Sequence, residues 1–237
     1  MPTGEVSTLS AVFSAIGGSI VGGAISTVVA FVVQKRNLTA AKKQWDEDRL
    51  EIRKARGYAL LFKMIRIASN IENLGKAMQS SFEEAARRGL KWDPWQIVQP
   101  MVPANDPVNF TAEEMALILS IDDKLFNEIA SMDQLHNSTA ALFDLYGTMR
   151  QKVMERFGAV MSGNIGVTGL TQSEHDWLAP RATELNGLIA VLQQRAIEDG
   201  KEAWSVLVKL RDSLEKNLGI KHRLERRDGK AIGRPAT

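Results

Sequence analysis

Cysteine is absent from this chain of 237 residues, and with it go disulfide staples, thiolate nucleophiles and cysteine-ligated metals. Histidine is almost as scarce. His136, His175 and His222 are scattered, and only Asp133 with His136 falls on one face of a helix. A carboxylate-bridged di-metal bundle needs a Glu-x-x-His pair from each of two helices plus further carboxylates, and no second half is present. His136 therefore reads as a polar or partly buried side chain rather than a ligand. Glu174, His175 and Asp176 are consecutive, so on a helix they diverge instead of converging on one point. Gly-x-x-x-x-Gly-Lys and Gly-x-Ser-x-Gly are also missing, which removes the best-known phosphate-cradling and acyl-transfer signatures. These absences predict no catalytic residues, no metal site, no cofactor and no enzymatic activity.

Charge is missing too, over one long stretch. Residues 9–33 read LSAVFSAIGGSIVGGAISTVVAFVV, without a single charged side chain. As a helix this run is about 37 Å long, enough for a hydrocarbon core of about 30 Å. The preceding MPTGEVST carries no Lys or Arg, unlike the basic start of a cleaved signal peptide. No charged face marks the run as an interfacial helix. It is expected to be a transmembrane helix. Lys35, Arg36, Lys42 and Lys43 follow it directly, as candidate lipid-headgroup contacts that also fix topology. By the positive-inside rule the N-terminus is outside and the remainder cytoplasmic, at the inner cell membrane. Ser14, Gly18, Gly22 and Ser26 recur every four residues, a groove of small residues that lets a second helix approach closely. Self-association through that face is expected.

Beyond the run, no proline or strong breaker separates Val33 from Arg56, so the helix is free to continue into the cytosol. Leu38, Trp45, Ile52 and Ala59 fall at intervals of seven, with Ala41, Ala55 and Phe62 between them and Asp48 interrupting. This thin apolar seam on a charged rod suits either a second copy or the chain's own later helices. From Tyr58 a broad stripe (Leu60, Leu61, Met64, Ile67, Ile71, Leu74, Met78) faces a core and ends near Arg87, Arg88 and Gly89. Pro94, Pro100, Pro103 and Pro107 mark an irregular crossover. Thr111 and Glu114 form a capping box for a short helix, and a stripe from Leu125 to Phe157 predicts a long one after Asp122. Residues 158–169 read as a flexible glycine-rich loop. Ser173 with Asp176 then opens another helix, kinked or restarted at Pro180 and broken near Asp199 and Gly200.

The whole predicts an all-α chain: an extracytoplasmic tail (1–8), a transmembrane helix (9–33), a charged juxtamembrane helix or stalk (34–57), a bundle of three to four long helices (58–218) and a basic disordered tail (219–237). Trp92 and Trp95, beside a proline in the crossover, are candidate partner contacts, with capping of the bundle core as the competing role. Lys221, Arg223, Arg226 and Arg227 of the tail are candidate contacts for anionic lipid or nucleic acid, lipid being favoured by the membrane tether. The expected partners are the membrane, further copies of the chain and an unknown cytoplasmic protein; nucleic acid is not expected. The functional expectation is a membrane-anchored scaffold or adaptor that self-associates and presents its bundle. The alternative is a pore-forming or membrane-perturbing effector assembled through the small-residue face.

Overall fold

The chain is all-α, as a computed structural model. The structure describes the backbone of residues 6–100, 107–157, 160–162, 165–167, 169–225 and 231–232, and the side chains of 31, 33–100, 107–157 and 169–224. Two compact units are present, Met1–Ile52 and Arg53–Thr237. The helices are α1 (Val6–Arg87), α2 (Pro94–Ile97), α3 (Ala112–Leu119), α4 (Asp123–Arg156) and α5 (Gln172–Leu218).

Among the described residues no helix is long and apolar enough to cross a membrane. The expected membrane run, residues 9–33, lies on α1, but of its side chains only Phe31 and Val33 are among those described. The α1 helix runs from Val6 to Arg87 without interruption, as the lack of proline allows. It stops at Arg87, with Gly89 at φ +67. There the Gly89 and Leu90 amides turn back to the carbonyls of Ala86 and Ala85, a closure open to glycine because it lacks a Cβ.

In the second unit, the later part of α1 packs with α4 and α5. One buried cluster joins Leu60, Met64 and Ile67 of α1, Ile118 of α3, Ile129 and Met132 of α4, and Leu207 and Leu210 of α5. A second joins Leu74 and Met78 to Trp95, Phe143, Tyr146, Leu185 and Ile189. Each fully buried aliphatic side chain contributes about 2 kcal/mol, so these stripes, rather than helix propensity, hold the bundle. Gly75 lets α1 and α5 come together, since a Cβ there would stand 3.3 Å from Ala196 Cβ.

Four local expectations change. The α5 helix is capped by Thr171 and Glu174, two residues before the Ser173 start inferred from sequence. It also runs unbroken through Pro180 and Gly200. A mid-helix glycine costs about 1 kcal/mol, and burial of Ala196, Ala203 and Leu207 around it outweighs that. The glycine-rich segment holds a small hairpin, β1 (Val160–Ser162) antiparallel to β2 (Ile165–Val167). Past Gly219, Ile220 and Leu224 are buried against the first cluster, and β3 (Leu224–Glu225) pairs with β4 (Ala231–Ile232). Order thus extends beyond the start of the expected tail, because two apolar residues there find core to cover.

Candidate functional site

Every side chain from residue 33 to residue 52 is exposed. Lys35, Arg36, Lys42 and Lys43 stand out from α1 into solvent, with Lys43 3.8 Å from Glu47. On the same stretch Phe31 is 68%, Leu38 64%, Trp45 58% and Ile52 53% exposed. The Arg49 guanidinium lies 4.5 Å from the centre of the Trp45 ring. Ser14, Gly18, Gly22 and Ser26 lie on α1, their side chains outside the described residues.

Within the second unit the most organised polar group surrounds His136, which is 2% exposed. Asn70 Nδ2 of α1 meets Nε2 at 3.2 Å, and Nδ1 meets Asn137 Oδ1 at 3.2 Å. An amide nitrogen can only donate, so Nε2 accepts and the proton sits on Nδ1. Asn137 in turn clamps the backbone of Val108, accepting from its N–H at 3.3 Å and donating to its carbonyl at 3.1 Å, and it also donates to Asp133. The knot ties α1, α4 and the segment leading to α3. Burial pushes the imidazole below its ordinary value of 6.5, with Asn137 and Asp133 opposing. Asp133 itself is raised by burial.

A pH dependence follows. The folded-state value of His136 is depressed, so as pH falls through 6.5 the unfolded chain takes up a proton that the folded chain refuses. Stability should fall as pH drops below about 6.5, by at most about 1.4 kcal/mol per pH unit from this group. His136→Gln should flatten that slope in equilibrium unfolding; an equally steep slope would remove His136 as its source.

The crossover is held from below. Trp95 is buried, its backbone N–H donating to Asn186 Oδ1 at 3.0 Å, while Trp92 is half-buried. The Tyr146 hydroxyl lies 3.1 Å from the Trp95 carbonyl and also bonds that of Val98, and Arg150 Nε donates to the Trp95 carbonyl at 3.1 Å. Burial raises the Tyr146 phenol to about 12. The Trp95 indole is thus a core side chain with no free surface to offer a partner, and its Nε1 is buried without a partner among the described residues.

Elsewhere Trp177 is flanked by the guanidiniums of Arg156 at 4.2 Å and Arg181 at 3.9 Å. Lys221 and Arg223 are exposed, whereas Arg226 and Arg227 lie outside the described residues. Among the described residues no group of three or more His, Asp or Glu side chains is placed to hold a metal ion. His175 lies on the surface, 3.8 Å from Asp176. Sequence reasoning missed the partners of His136, the Lys63–Glu114 pair (2.7 Å) and the Tyr146 anchor. The signal for the first was available: Asn70 sits inside the apolar stripe of Ile67 and Ile71, where an amide needs a reason. The chain matches no protein-family model, no curated protein and no solved structure.

Proposed function

We propose that this chain is a membrane-anchored helical scaffold, with residues 9–33 as a single transmembrane helix and the body on the cytoplasmic side. It self-associates through Ser14, Gly18, Gly22 and Ser26 and presents its bundle to a cytoplasmic protein. The observation that carries the reading is twenty-five residues without charge followed directly by Lys35, Arg36, Lys42 and Lys43. Two features support it. The basic side chains are all exposed, and the body is a well-packed bundle.

The test has two parts. The full-length protein should pellet with membranes and be released by detergent but not by salt; recovery in the supernatant without detergent would refute the anchor. Gly18→Leu with Gly22→Leu should leave insertion intact while reducing oligomer size in detergent, because leucine fills the groove that brings backbones together. An unchanged oligomer removes the small-residue face from the scheme.

The run's diluted first half, rich in glycine and serine, favours a second reading, in which several anchors assemble into a pore. Expression of residues 1–57 alone should then depolarise cells, whereas a scaffold anchor leaves the membrane potential unchanged.

A further inference from the structure

The first unit's most exposed large apolar side chains fall in one line, while Val33 and Leu50, less exposed, stand off it. Phe31, Leu38, Trp45 and Ile52 stand at successive intervals of seven, all more than half exposed, on a helix whose side chains from 33 to 52 are uncovered. A seven-residue spacing keeps one line of side chains facing a partner helix only when two helices supercoil around each other. We infer that this seam is the interface of a parallel, in-register coiled coil between two copies of the chain. The inference deepens the self-association reading above by placing a second interface outside the small-residue face.

With Leu38, Trp45 and Ile52 as the first core position of each heptad, the second core position holds Ala41 and Asp48. Ala41 allows close approach. Asp48 is the apparent flaw, and its surroundings answer it. In a parallel pair, the residue following the second core position lines the same layer from the opposite helix, and here that residue is Arg49. Arg49 is already drawn over the seam by its stacking on Trp45. Two Asp48 and two Arg49 therefore meet in one layer with no net charge. An antiparallel pair would instead set Asp48 against the apolar side chains of the first core position, leaving its charge unpaired.

A lipid surface fits the seam less well than a second copy. Trp45 stands twelve residues beyond Val33, about 18 Å along the helix, and Asp46, Glu47 and Asp48 beside it would be repelled by anionic headgroups.

The absence of cysteine makes the test clean. Leu38→Cys and Ile52→Cys, each in the full-length protein in membranes, place single thiols at self-facing positions. Lys43→Cys places one on the outer face. A disulfide requires Cα atoms within about 7 Å, so both seam variants should cross-link into dimers at least about tenfold faster than Lys43→Cys under mild oxidation. The same measurement in a Gly18→Leu/Gly22→Leu background should keep that pattern. Cross-linking at only one seam position, or no faster than at residue 43, overturns the parallel seam, while the Gly18 and Gly22 effect on oligomer size can still stand. Seam cross-linking abolished by the glycine substitutions also overturns it, because the contact would then follow passively from the membrane helices. Asp48→Lys, which sets like charges around Arg49, should slow cross-linking at Leu38→Cys; an unchanged rate would refute the Asp48–Arg49 layer.

Discussion

Tyr146→Ala is expected to lower the stability of the bundle by about 5 kcal/mol, at the upper end of the range for aromatic-to-alanine changes in a core. Tyr146 is fully buried, packed against Phe143 at 6.0 Å between ring centres. Its hydroxyl faces two carbonyls of the crossover, those of Trp95 and Val98. Removing the ring therefore leaves a cavity and strips a hydrogen bond from backbone that has few alternatives. Tyr146→Phe separates the two contributions. It keeps the ring, so it should cost about 1–2 kcal/mol, the penalty for the unmade hydrogen bond. Denaturant unfolding of both variants checks this. If Tyr146→Phe is neutral, Arg150 alone satisfies the crossover and the anchor role of the hydroxyl is wrong.

Lys63→Met should destabilise by about 3 kcal/mol, at the low end for breaking a buried ion pair by removing one partner. The Glu114 side chain is only 7% exposed and takes both oxygens to Lys63 Nζ, at 2.8 and 2.7 Å, while one of them also accepts from the Thr111 N–H. Methionine fills the space of the lysine stem and leaves the carboxylate buried with a cap partner alone. Lys209→Met supplies the contrast. Its pair with Glu128 is similarly short, 2.8 Å, but Lys209 is 52% exposed, so the loss should stay under about 1 kcal/mol. Adding Glu114→Gln to Lys63→Met should recover part of the loss by removing the stranded charge. Equal losses at the two lysines would show that burial is not what gives the Lys63 pair its weight.

How much was legible beforehand follows the physics of each signal. The helical stripes were, because apolar residues at helical spacing must bury one face: Leu60 through Met78 and Leu125 through Val153 face the core. The capping box of Thr111 and Glu114 was legible because it is local. Its second duty was not, since the Lys63 contact spans 51 residues and depends on packing. The break expected at Asp199 and Gly200 failed for the same reason: local propensity opposes a helix there, and tertiary burial overrides it. The His136 knot was half legible. His136 and Asp133 were correctly set on one face, but Asn70 reaches them from another helix. The exposed seam was visible as a spacing, and only the structure shows that its side chains stand uncovered.

The meeting of Gly75 with Ala196 has a consequence for how this chain is born. The two residues are about 120 positions apart, and the ribosome adds about 5–20 residues each second. The apolar face beginning at Leu60 thus emerges some ten seconds before the helix that covers it exists. During that interval the nascent chain carries an open greasy flank, and its early companions in the cell must be those that shield such surfaces. The α4 and α5 helices wait less, since a contact such as that of Glu128 with Lys209 spans 81 positions.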